Sequence, residues 1–373
     1  MTRRAACGLI VMAAACAPLA PQGPERALYV PRSFAALPGW ERAALEPSLR
    51  AFLSGCTRAP APFARACELA AALPPGDEPA ARQFFEANFT PYALVSTVSG
   101  DSGLITGYYE PILQGSRTRS ELNRYPIFGV PEDLVVVDLA AVNPELRYLR
   151  LRGRLQGRRL VPYYTRAEID SGANGFNAPV IAWTPDPVAL FFMQIQGSGQ
   201  LELESGERLR LGYADQNGHP YRSLGRHLVE RGELVLERAS MQGIQAWAET
   251  NPDKLQHAMN QNASYVFFRE MPPADGPIGA LGVPLSAGLS LAVDRRHVPL
   301  GAPVYLATTY PLSEEPLERL MIAQDTGGAI RGAVRGDYYW GTGPEAGAQA
   351  GRMRSQGRMW LLWPRDEPLP APD

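Results

Sequence analysis

The chain has 373 residues, long for one domain and suited to two. Its 45% hydrophobic and 20% charged residues are ordinary for a globular protein. A formal net charge of −2 argues against a nucleic-acid partner, which would require a basic face.

The N-terminus reads as an export signal. Arg3 and Arg4 precede an apolar run over residues 5–15 that is too short to span a bilayer and ends at Cys16. We expect residues 1–15 to be a bacterial lipoprotein signal and Cys16 to carry lipid, although a plain secretory signal with an incidental cysteine also fits. Ala17 after Cys16, rather than Asp, points to an outer-membrane lipoprotein facing the periplasm. Residues 16–32 are rich in Pro and polar side chains and read as a tether. Cys56 and Cys67 flank a short Pro-containing loop and fit either a disulfide in an oxidising compartment or two buried thiols.

Helical patterns follow at 41–53 (interrupted at Pro47), 63–72 and 80–88, and then an extended segment at 104–113 that breaks at Pro111. From 114 to 239 the texture changes. Residues 133–139 read as a strand, and 164–170 as a short helix with Thr165 as N-cap and Glu168 three residues on. Asp186 and Pro187 open another helix, and 200–211 alternate as a hairpin around Ser205-Gly206. A helix at 222–231 closes at Gly232. From Ser240 a helix is followed by short β-favouring runs at 265–269, 289–293, 304–307, 319–323 and 358–362, a spacing that suggests a small barrel.

The chemistry concentrates in residues 324–343, QDTGGAIRGAVRGDYYWGTG. Glycine admits close backbone approach, carboxylates move protons, and aromatic faces stack on sugars. No metal-binding or nucleotide motif is present, and the four histidines are scattered. Carboxylate chemistry remains, with Asp294, Asp325, Asp337 and Glu345 as candidates. Asp325 before Thr-Gly-Gly could equally cap its own turn, and Asp294 before Arg295-Arg296 reads more simply as a surface ion pair. The runs Gly107-Tyr108-Tyr109-Glu110-Pro111 and Gln194-Ile195-Gln196-Gly197-Ser198-Gly199 offer aromatic faces, amides and a hydroxyl that suit a polyhydroxylated ligand or a satisfied buried turn.

Together these runs resemble the membrane-bound lytic murein transglycosylase A family. The matching stretches are TGYYEP (106–111), MQIQGSG (193–199), YADQNGHPYRSLG (213–225), ASMQGIQAW (239–247), ASYVFF (263–268), VDRRHVPLG (293–301), DTGGAIRG (325–332) and DYYWGTGPEAGAQAG (337–351). The resemblance implies a mainly β fold with flanking helices. It has a double-psi β-barrel domain built from 33–113 and 240–373, a second β-rich domain inserted at 114–239, and a glycan groove between them. It implies cleavage of the β-1,4 bond between N-acetylmuramic acid and N-acetylglucosamine in peptidoglycan without water, giving 1,6-anhydro ends and needing no metal or organic cofactor. By motif, Asp337 is the acid and then the base, Asp325 its support, and Tyr108, Gln196, Ser198 and Tyr338 belong to the groove. Arg331 and Arg335 in the loop between the aspartates are candidates to meet acidic peptide stems. An inverting polysaccharide hydrolase and a non-catalytic glycan-binding module are the rival readings.

Overall fold

A computed structural model describes residues 25–370 except 59, 147–149, 173–174 and 275. The signal sequence and Cys16 lie outside the described residues. In chain order, β1 (Ala27–Pro31) leads into three helices, α1 (Glu46–Gly55), α2 (Ala64–Ala71) and α3 (Glu78–Asn88). Then come β2 (Phe89–Ser96), β3 (Gly103–Glu110), β4 (Ile112–Gly115), β5 (Tyr125–Phe128), β6 (Val135–Asp138), β7 (Arg150–Gln156) and β8 (Arg159–Pro162). Next are α4 (Arg166–Asp170), β9 (Val180–Thr184), α5 (Pro187–Gln196), β10 (Ser198–Leu203), β11 (Arg208–Gln216), α6 (Leu224–Glu230), α7 (Met241–Thr250) and α8 (Pro252–Met259). The chain ends through β12 (Val266–Met271), β13 (Ser290–Val293), β14 (Pro303–Thr309), β15 (Pro316–Asp325), β16 (Gly336–Thr342), α9 (Pro344–Ala350) and β17 (Arg354–Pro364).

Six strands close into a barrel in the order β17–β14–β15–β13–β16–β3, with β3 pairing back onto β17. Closure leaves no free edge inside the ring. Two pairings, β13 with β15 and β3 with β16, are parallel, which requires long crossovers and so draws distant parts of the chain into one ring. Leu291, Val293, Val304, Leu306 and Leu361 fill the interior with almost no exposure. Each such side chain contributes about 1.5–3 kcal/mol by leaving water. The N-terminal helices cover this core through Phe52, ringed edge-on by Phe63, Phe85 and Phe89. Cys56 and Cys67 form a disulfide with Cα atoms 5.6 Å apart, tying α1 to α2.

The second lobe carries the sheet β12–β11–β10–β4, the pair β5–β9 and the small sheet β6–β7–β8. Helices α5 to α8 pack together beside it around Phe191, Leu228, Ile244 and Met259.

Several expectations need correction. Pro47 lies in the first turn of α1 and starts that helix instead of interrupting one, because a ring without an N–H costs nothing there. Within the expected tether, residues 27–31 form β1, which pairs antiparallel with β2. The second lobe does not end at 239: α7 and α8 belong to its helical cluster, and β12, expected in the barrel, pairs with β11. The return to the barrel follows Met271. The segment at 104–113 divides at Pro111, with β3 in the barrel and β4 already in the second lobe beside β10. Pro111, which has no N–H for a ladder, sits where the chain changes sheet.

Candidate active site

Three adjacent barrel strands build the site. Ala292 on β13 pairs with Asp325 on its β15 side and with Asp337 on its β16 side. Directly paired residues share a face, so both carboxyl groups rise on either side of a methyl group, their Cα atoms two strand spacings (roughly 10 Å) apart. On the far side of β16, Asp337 pairs with Thr106 and Tyr339 with Tyr108. Tyr108, Tyr339, Ala292 and Leu285 pack as one cluster around this floor.

The register of β13 on β15 shifts at Gln324, the residue between the partners of Leu291 and Ala292. Gln324, next to Asp325, is fully buried; it accepts from Ser290 Oγ at 2.5 Å and donates to the Ala51 carbonyl at 3.0 Å. These bonds fix the last turn of β15 and so the direction of Asp325. Gly107, between Thr106 and Tyr108, lies against the Trp340 indole; a Cβ there would come within 2.6 Å of Nε1. Only glycine lets β3 lie so close to the Trp340 side chain and the α9 backbone at Ala350.

The carboxyl environments differ in detail. Burial pushes Asp325 up to about 6, against the pull of the Ala280 and Thr326 N–H groups, each 2.9 Å from Oδ1. Burial also pushes Asp337 up to about 6, with Arg335 and the Thr106 hydroxyl opposing and the charge of Asp325 adding to the rise. The Thr106 hydroxyl donates to Asp337 Oδ1 at 2.5 Å. Burial, then the charges of Asp325 and Asp337, hold the Tyr108 phenol well above its ordinary value. Its hydroxyl lies close enough to Asp325 to be perturbed by it but forms no hydrogen bond of normal geometry. A buried hydroxyl left without a partner beside two carboxyl groups is suited to meet a ligand oxygen.

The residues expected in the groove divide. Tyr108 joins Asp325 and Asp337. Gln196 ends α5 and accepts from the Tyr109 N–H at 3.1 Å, so it ties the second lobe to β3; Gly197, at φ 81°, turns the chain so that Ser198 starts β10. Tyr338 does not belong to the groove face. It is one residue out of phase with Asp337, packs within the main core, and its hydroxyl accepts from Arg319 at 3.2 Å. Tyr339 takes the place on the site face that was expected of Tyr338.

Asp294 is paired with Arg296 as expected, yet its side chain is wholly buried instead of superficial. Burial opposes its charge, but hydrogen bonds from Arg296 and the Gly332 N–H hold its carboxyl below the usual value. Arg335 is not turned toward solvent: its guanidinium reaches the Leu104 and Gly336 carbonyls and Thr106 Oγ1.

Thr106 and Ala292 were not singled out from the sequence, and Tyr339 and Glu110 stood there only within longer candidate runs. A period of two along β3 and β16 would have put Thr106 with Tyr108 and Asp337 with Tyr339, had the pairing of these strands been known. Glu110 is 1% exposed; it accepts from Gln200 and Thr342 and pairs with Arg210 of β11 at 3.5 Å, which joins the two lobes beside the site.

Profiles of two domains match this chain, an MltA specific insert domain at residues 104–269 and a 3D domain at residues 289–363. The membrane-bound lytic murein transglycosylase A of Escherichia coli (strain K12) is 37% identical over 272 residues, which cover 69% of this chain and 64% of the relative. The chain belongs to the lytic murein transglycosylase A family. It spans a little under two thirds of the length of that relative. The crystal structure of MltA from Neisseria gonorrhoeae superposes with a TM-score of 0.79 at 40% identity, over 93% of this chain and 94% of the other. An E. coli MltA structure with bound chitohexaose gives a TM-score of 0.67 at 29% identity, over 86% of this chain and 90% of the other. The insert-domain profile ends within β12, in accord with the pairing of that strand to the second lobe.

Proposed function

We propose that this protein is a lytic transglycosylase that cleaves the β-1,4 bond between N-acetylmuramic acid and N-acetylglucosamine in peptidoglycan. The observation that carries this reading is the pair of carboxyl groups flanking Ala292 on one barrel face, each pushed by burial up to about 6. A carboxyl poised there holds a proton often enough near neutral pH to act as an acid and still releases it readily.

In this mechanism Asp337 gives its proton to the glycosidic oxygen as the bond to C1 breaks and positive charge develops on the sugar. The carboxylate so formed takes the proton of the muramyl C6 hydroxyl as O6 bonds to C1. One residue serves in both steps, and no water is consumed. Asp325, held by two backbone N–H groups, stays in place to stabilise the developing charge and to tune Asp337. Tyr108, Gln196 and Ser198 line the glycan path where the lobes meet. The chitohexaose bound to the E. coli relative supports a glycan in this groove. No helix among the described residues is long and apolar enough to cross a membrane. The name of the relatives and the N-terminal sequence support attachment through lipid on Cys16, with the enzyme on the periplasmic side of the outer membrane.

A second reading, an inverting hydrolase, draws on the same carboxyl pair, since a water between them could attack C1. Digestion of purified sacculi in heavy-oxygen water separates the two. The lyase yields 1,6-anhydro-muramyl ends free of the label by mass spectrometry; labelled reducing ends would establish the hydrolase instead.

A further inference from the structure

We propose that Arg335 and Thr106 are positioning residues that fix which oxygen of Asp337 carries the transferable proton. This rests on the reading of Asp337 as the acid and base. Four hydrogen bonds make the case. Arg335 Nη2 lies 2.8 Å from Thr106 Oγ1, and Thr106 Oγ1 lies 2.5 Å from Asp337 Oδ1. Arg335 is itself held by the Leu104 and Gly336 carbonyls, so its guanidinium cannot swing away without losing both.

Guanidinium is a donor only and stays protonated in proteins. Arg335 therefore occupies one lone pair of the Thr106 oxygen and leaves the hydroxyl proton to point elsewhere. The acceptor in reach is Asp337 Oδ1. Oδ1 is then an acceptor in both protonation states of Asp337, and the proton of the acid form resides on Oδ2. Without Arg335 the hydroxyl could turn and accept a proton from Oδ1, giving a second acid form with its proton aimed into the barrel wall. The relay disfavours that unproductive form, because a Thr106 hydroxyl that accepted from both Arg335 and Oδ1 would lose the acceptor for its own proton.

The groups that face Asp337 are Arg335 on its own strand's approach, Thr106 and Tyr108 on β3, and Asp325 on β15. Of these Arg335 is the cation, and it favours the charged carboxylate. The Arg335→Met variant therefore has two consequences. The alkaline limb of the kcat profile, where the acid form is lost, moves to higher pH. At the plateau kcat falls on the order of tenfold, because part of the acid population is misdirected and general acid catalysis supplies about 10²–10⁴-fold in all.

The test uses the full chain on purified sacculi, with release of anhydro-muramyl products followed against pH for wild type, Arg335→Met, Arg335→Lys, Thr106→Val and Thr106→Ser. We expect Thr106→Val to lower kcat with KM little changed, and Thr106→Ser to restore it. Arg335→Lys should return the alkaline limb toward that of wild type. A Thr106→Val enzyme with the wild-type kcat, or an Arg335→Met enzyme with an unmoved alkaline limb, overturns the proposal. Loss of activity in Thr106→Ser equal to that in Thr106→Val does so too, since it marks a packing role. Failure of the underlying reading shows separately, as wild-type enzyme that makes no anhydro ends or as an active Asp337→Asn variant.

Discussion

Asp294 and the pair Asp325 and Asp337 lie at nearby strand ends of one barrel, and burial acts on all three in the same direction. Their outcomes are opposite. Asp294 has a bidentate arginine and the Gly332 N–H, which overcome the loss of water and keep it charged. Asp325 and Asp337 have weaker compensation, and burial wins. Burial alone thus does not make a catalytic acid. What separates a structural carboxylate from a proton donor is whether the surrounding donors replace the lost hydration in full.

The sharpest way to break this comparison is to remove the proposed proton donor. Asp337→Asn should fold, retain binding to chitohexaose, and lose at least about 10³-fold in turnover, read as the rate of anhydro-muramyl release. Retention of turnover would place the acid elsewhere.

A smaller effect, on stability, should follow from Asp294→Ala. The change strands the Gly332 N–H and removes the Arg296–Asp294 ion pair, at a cost of about 2–3 kcal/mol at neutral pH by urea unfolding. The carboxyl of Asp294 is depressed in the folded protein. Its contribution is therefore present above the unfolded pKa and is lost as pH falls through the folded one, so the difference between variant and wild type should narrow in strong acid.

Asp325→Asn should act in the other direction. A carboxyl raised in the folded state favours folding below its unfolded value, near 4, and that contribution is lost as pH rises through about 6. The amide keeps the shape and escapes this loss. We expect the variant to be more stable than wild type by about 1–2 kcal/mol at pH 7, allowing for partial solvent screening, and no more stable at pH 4. Its activity should fall while its stability rises, the trade expected of a strained site. Equal stability at both pH values would show that Asp325 is as well compensated as Asp294.

The two aspartates were legible because the chemistry that surrounds them is local: a carboxyl, glycines and aromatics within twenty residues carry the same meaning whatever the fold. Strand and helix positions were largely legible for the same reason, through periodicity and through caps such as Thr165, Asp186 and Ser240. Sheet membership was not. Residues 265–269 have the texture of a barrel strand, and nothing within them says that their partner is β11.

The face on which Tyr338 lies was equally hidden, because an aromatic run such as Tyr338-Tyr339-Trp340 contains no polar alternation to set its phase. Pairing with β3 and β13 sets it, and a shift of one residue exchanges the core for the groove. The family and the candidate acid were therefore legible in the sequence itself, since both rest on residue types in short runs. Only the tertiary structure decided which tyrosine faces the site, where the second lobe ends, and that Thr106 bonds both Asp337 and Arg335. Those facts depend on strands that are distant in the chain, and Thr106 and Asp337 are 231 positions apart.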